Sequence, residues 1–138
     1  MAITLNPYLN FEGNARQAME FYESVFGGTL NVSTFGEFQA AEDPSEEDLV
    51  MHADLEGTGG IRFMAADTPK RMEYTPGSNI SMSLSGEDEA QLTGYFDKLA
   101  DGGSVMMPLT KAQWGDTFGM CTDRFGVRWL VNIAAPQS

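Results

Sequence analysis

Residues 14–28 read NARQAMEFYESVFGG, and this stretch decides how the rest of the chain is parsed. Ala15, Ala18, Met19, Tyr22, Val25 and Phe26 recur at helical spacing and place one apolar stripe along one face. Asn14 is predicted to cap the helix, with Gln17 three residues on in the capping-box position. Gly27 and Gly28 stop it, because glycine accepts the left-handed conformation at little steric cost. A second unit of the same kind follows. Ser85 or Gly86 is predicted to precede its first turn, where Glu87, Asp88 and Glu89 suit the positive end of a helix dipole. Leu92, Tyr95, Phe96, Leu99 and Ala100 form its stripe, and Gly102-Gly103 ends it. The aromatic pairs Phe21-Tyr22 and Tyr95-Phe96 lie 74 residues apart, and the two glycine pairs 75 apart. A near-constant offset marks an internal repeat.

Extended runs flank both helices. Ile3 to Phe11 and Asn79 to Leu84 precede them. After the first helix come Leu30 to Phe35 and then a strand in which Leu49, Met51, Ala53 and Leu55 alternate with Val50, His52, Asp54 and Glu56. Gly57-Thr58-Gly59-Gly60 turns the chain back into Ile61 to Ala65. In the second half, Ser104 to Leu109, Thr117 to Thr122 and Val127 to Ile133 are the strands, the last two joined by the turn Asp123-Arg124-Phe125-Gly126. Each half therefore reads strand, helix, strand, strand, strand. Module one spans about residues 3–66, a joining loop about 67–78, and module two about 79–134. Ala40 to Asp48 is acidic and reads as a solvated loop. A chain of 138 residues has room for one domain, and neither half carries enough core alone.

The charge sum, 8 basic against 20 acidic residues, is −12, which disfavours nucleic acid and anionic membranes as partners. One cysteine, Cys121, rules out an internal disulfide; buried in a strand, it reads as inert. One histidine, His52, rules out any metal site needing two imidazoles from one chain. No apolar run approaches about 20 residues, the length a spanning helix needs. Met1 to Leu5 show no basic residue and no long apolar run, so no secretory signal is expected and the expected compartment is the cytoplasm.

Several pieces stand in a telling order: Pro7 to Ala15, Phe21 to Gly28, Met51-His52-Ala53, Met64 to Asp67, Trp114-Gly115, Phe118-Gly119 and Asp123 to Trp129. Together they resemble the PhnB-like branch of the vicinal oxygen chelate superfamily, which includes glyoxalase I, extradiol dioxygenases, fosfomycin-modifying enzymes and bleomycin-binding proteins. The resemblance runs over residues 3–133. It implies an α+β fold of two βαβββ modules, with curved mixed sheets around a cavity and helices on the outer face. It also implies a homodimer. In metal-using members the ligands come from the first strand of each module and the last strand of the second. Those positions fall on Pro7 (with Tyr8 one residue off), near Asn79, and on Leu130. Proline and leucine cannot ligate, and an amide is a poor sole anchor, so neither a metal nor another cofactor is expected. Some PhnB-like proteins are described as demethylubiquinone methyltransferases. This chain shows no Gly-rich turn after a strand in a βαβ context, and no second domain for a methyl-donor nucleotide.

Candidate site residues follow from strand alternation. His52 is the one imidazole able to act as acid or base, with Asp54 and Glu56 on its face; the alternative is an ordinary hydrogen-bonded strand histidine. Arg128, Leu130 and Asn132 share one face of the last strand, so Arg128 and Asn132 are candidate ligand contacts; the alternative for Arg128 is a place at the sheet's rim, neutralising the acidic surface. Asn79, Ser81 and Ser83 alternate against Ile80, Met82 and Leu84, and the polar set is expected to line the concavity. Trp114, in a loop before a hairpin, is placed to stack on a flat ligand, or to sit in core or at an interface. The expected function is metal-independent binding of a small molecule. The alternative is a glyoxalase- or dioxygenase-type enzyme, metal-dependent or using His52 as acid/base; a scaffold role has no positive signal beyond the acidic surface.

Overall fold

The computed structural model describes residues 3–135. The chain divides into two compact units, Met1–Pro76 and Gly77–Ser138, each an α+β module of one helix and one four-stranded sheet. The first unit holds β1 (Tyr8–Phe11), α1 (Ala15–Phe26), β2 (Thr29–Thr34), β3 (Val50–Glu56) and β4 (Arg62–Asp67) in sheet order β1-β4-β3-β2. The second holds β5 (Met82–Gly86), α2 (Glu89–Ala100), β6 (Ser104–Lys111), β7 (Thr117–Thr122) and β8 (Arg128–Ile133) in order β5-β8-β7-β6. In each, the first strand pairs parallel with the last and the others pair antiparallel. The repeat read from the sequence is thus a repeat of topology.

The stripe of α1 is buried as its spacing predicts: Ala15, Ala18, Met19, Tyr22, Val25 and Phe26. It packs against β2, β3 and β4, where Ala53, Leu55, Phe63 and Ala65 are buried. Phe63 meets Tyr22 edge-on at 5.3 Å and Phe26 at 6.1 Å between ring centroids. Gly27 and Gly28 both take positive φ and end the helix. In the second unit α2 covers Cys121, Trp129, Val131 and Ile133.

Five details depart from the sequence reading. The first strand is shorter, because residues 3–7 find little to pair with: Ile3 and Leu5 are 98% and 96% exposed, and only the Pro7 carbonyl joins the ladder, accepting from Met64. Asn14 makes no side-chain cap. Its place is taken by Asp67 from β4, whose Oδ1 accepts the Gly13 and Ala15 amides at 2.9 Å each while Oδ2 accepts Val50 N–H at 2.9 Å. Asp67, read as the start of the joining loop, is therefore a buried strand residue. At α2 the cap is Asp88, accepting from Gln91, and Ser85 and Gly86 belong to β5. Finally, the loop read as solvated contains a 3₁₀ turn, Pro44–Glu46, whose Glu46 is buried and accepts the Lys70 amide at 2.8 Å. Glu46 and Asp67 are buried because each carboxylate has a backbone donor to satisfy it, which local sequence does not reveal.

Candidate functional site

Each sheet has one face covered by its helix and one turned away from it. On the first sheet the ladder pairs Tyr8 with Met64, Asn10 with Ala66, Asp54 with Met64 and Ser33 with His52. Tyr8, Asn10, Met64, Ala66, His52, Asp54 and Ser33 therefore point away from α1, while Phe11, Ala53, Leu55, Phe63 and Ala65 point toward it. His52 is half-buried, and its Nδ1 lies 3.5 Å from Tyr8 Oη with the ring centroids 5.9 Å apart. Burial pushes the Tyr8 phenol above its ordinary pKa, so it stays protonated at neutral pH. Asp54 is held by Arg62 through two contacts of 3.3 Å, and Arg62 also reaches Glu56 at 3.7 Å. Asp54 shares the face of His52, yet its recorded partner is Arg62, while His52 has Tyr8 beside it.

On the second sheet, Arg128, Leu130 and Asn132 alternate against buried Trp129, Val131 and Ile133, as the period of two requires. Arg128 donates to the Ser78 carbonyl at 3.0 Å, which fixes the guanidinium beside the segment carrying Asn79. Asn132 donates to Asp116 Oδ2 at 3.0 Å, and Asp116 Oδ1 accepts the Ala135 amide at 2.8 Å. Hydrogen bonds from Asn132, from Ala135 and from Trp114 hold the Asp116 carboxyl below the usual carboxylate range. Trp114 is 64% exposed and meets Phe118 edge-on at 6.0 Å. Phe118 pairs with Asn132, so the tryptophan stands at one end of this face.

Asn79 and Ser81 lie before β5 and are exposed, and Ile80 between them is 79% exposed. The strand starts at Met82, three residues later than its alternation suggests, and the serines on the Leu130–Asn132 face are Ser83 and Ser85. Tyr8 joins the His52 face of the first sheet without being among the candidates that strand alternation singles out. Its signal was there: Leu9 and Phe11 alternate with Tyr8 and Asn10. Asp116 has no such signal, since Asn132 and Ala135, which donate to it, lie 16 and 19 residues away.

The metal positions of the superfamily do not fit this chain. Leu130 sits mid-strand between its cross-strand partners Met120 and Ser83, neither of which carries a carboxylate. Pro7 precedes β1 and lies in register with the helix side, leaving Tyr8 as the first β1 residue on the opposite face. Among the described residues no three His, Cys, Asp or Glu side chains gather as a metal cluster. Cys121 is buried and its thiol is pushed up to about 11 by desolvation and by Asp123, so it is no nucleophile at neutral pH. A shallow cavity of about 450 Å³ on the second unit is lined by Phe96, Asp97, Lys98, Ala100, Asp101 and Val105. It contains none of the candidate residues.

Comparison with known proteins places this geometry. A family model described as 3-demethylubiquinone-9 3-methyltransferase matches residues 3–132. The structure of protein PA1353 from Pseudomonas aeruginosa is 38% identical, covering 98% of this chain and 100% of that one, with a TM-score of 0.82. A PhnB protein of Bacillus cereus, also described as a 3-demethylubiquinone-9 3-methyltransferase, is 30% identical over 96% of this chain and 100% of its own, with a TM-score of 0.76. At the level of fold alone, a glyoxalase/bleomycin resistance protein/dioxygenase superfamily member from Sphaerobacter thermophilus superposes with a TM-score of 0.58 at 17% identity, covering 97% of this chain and all of that one.

Proposed function

The chain belongs to the PhnB-like, 3-demethylubiquinone-9 3-methyltransferase family within the glyoxalase fold, and from that premise we propose that it binds a small organic molecule without a resident metal. The observation that carries the reading is the face of β8: Arg128 and Asn132 flank Leu130, a polar wall with an aliphatic residue where metal-using relatives of the fold place a carboxylate. Trp114 and Phe118 extend that wall with aromatic surface.

Methyl transfer stays with the family's description. At the start of α1 the Ala15 amide, with that of Gly13 in the turn before it, is taken by Asp67, and that turn has a single glycine, Gly13. A second reading, proton transfer by His52, is favoured by the nearby Tyr8 hydroxyl. Homodimer formation is supported by the exposed run Val105, Met106 and Met107 on edge strand β6, and light scattering tests it. A cytoplasmic location is the compartment we propose.

A thermal-shift screen of a small-molecule library on metal-free protein, repeated with Ni, Mn, Zn and Fe, tests the main reading. Ligands that stabilise the metal-free protein, with loss of response in Arg128→Ala and Trp114→Ala, are the expected result. Stoichiometric metal binding required for any ligand response overturns it.

A further inference from the structure

We infer that Tyr8 and His52 form a second recognition point, on the face of the first sheet turned away from α1, for a flat uncharged ligand with a hydroxyl or amide edge. The inference rests on the small-molecule reading above and deepens it by naming a place and a chemical class.

The two rings are tilted by 39° with centroids 5.9 Å apart, so they are neighbours without being stacked flat on each other. Tyr8 is 45% exposed and presents ring surface outward. The strand register puts the small side chain of Ala66 between Asn10 and His52, a low point in a row whose outer member is Ser33. A planar molecule laid there meets ring on one side and amide, imidazole and hydroxyl groups on the other.

The hydrogen-bond capacity of the pair is largely unspent. At 3.5 Å the Tyr8–His52 contact is long for O–H···N, and a phenol and an imidazole each carry both donor and acceptor positions. Such contacts tighten when a ligand arrives. The charged groups nearby are Asp54, Glu56 and Arg62, and they are engaged with one another. Arg62, the cation recorded on this face of the first sheet, is engaged by Asp54 and Glu56, and a chain of net charge −12 repels an anionic ligand at longer range. A neutral ligand with matched donors and acceptors fits what remains.

The single histidine makes the test direct, because one imidazole Cε1–H resonance reports the site. Phenol and benzamide are titrated into the full chain, with cyclohexanol and benzoate as controls for flatness and charge. Phenol and benzamide should move the His52 and Tyr8 signals saturably, with the controls at least about tenfold weaker. Tyr8→Phe, with unchanged circular dichroism, should weaken phenol binding roughly fivefold by removing one neutral hydrogen bond. His52→Gln should give a loss of similar size, read on the Tyr8 ring. A silent His52 signal, or equal responses to cyclohexanol and phenol, overturns the inference. Shifts confined to second-unit amides overturn it and leave small-molecule binding standing, whereas silence of every amide across a broad library sinks both.

Discussion

Replacing Asp67 should cost the first unit more than any surface carboxylate, and the size of the loss follows from its contacts. One carboxylate accepts three backbone N–H groups, from Gly13, Ala15 and Val50, all at 2.9 Å. It joins the end of β4 to the start of α1 and the start of β3. Asp67→Ala strands two buried donors, Ala15 and Val50, and a part-buried third. At about 1–3 kcal/mol per buried unsatisfied group, the expected loss is about 3–5 kcal/mol. That is a large share of the roughly 5–15 kcal/mol that holds a typical domain folded. Asp67→Asn keeps one oxygen for Gly13 and Ala15 but turns an NH2 toward Val50 N–H. Its expected loss is about 1–3 kcal/mol, so the order of stability is Asp, Asn, Ala. Urea unfolding followed by circular dichroism measures the differences. Amide hydrogen exchange should show lost protection at Gly13, Ala15 and Val50. Two variants within about 0.5 kcal/mol of wild type, the usual range for a surface substitution, would refute the hub reading.

Other outcomes follow from the same coordinates. Both tryptophans, Trp114 and Trp129, lie in the second unit, so if the units unfold as one domain the fluorescence midpoint of Asp67→Ala falls together with the circular-dichroism midpoint; separate midpoints mean separate domains. Gly119→Ala should destabilise by about 1–3 kcal/mol, since an added Cβ meets Leu109 Cδ2 at 2.9 Å and Phe96 Cε2 at 3.1 Å; calorimetry checks it. Cys121, with its thiol pushed up to about 11, should react with an aromatic disulfide reagent at pH 8 only as the protein unfolds, and rapid native labelling contradicts its burial. Asp116 has a depressed pKa in the folded chain. Its contribution to stability is therefore present above the ordinary carboxylate pKa and lost as pH falls through the lower folded value. Carboxyl NMR titration should show that Asn132→Ala moves it back up toward the ordinary range.

The repeat, both helices and the faces of β3 and β8 are legible in the chain before any fold is known, because these rest on local periodicity. The apolar spacing from Ala15 to Phe26 permits one buried face, and the alternation Trp129, Val131, Ile133 permits one orientation of Arg128, Leu130 and Asn132. Leu130 could be read as unable to ligate before any fold was known. The tertiary structure alone decided which polar groups meet. Asp67 caps a helix 52 residues away from it in the chain at Ala15, Glu46 closes on Lys70, and Tyr8 stands beside His52 at a separation of 44 residues. Such pairings depend on strand order and register, and a hydrogen bond between distant residues leaves no period in the chain that forms it.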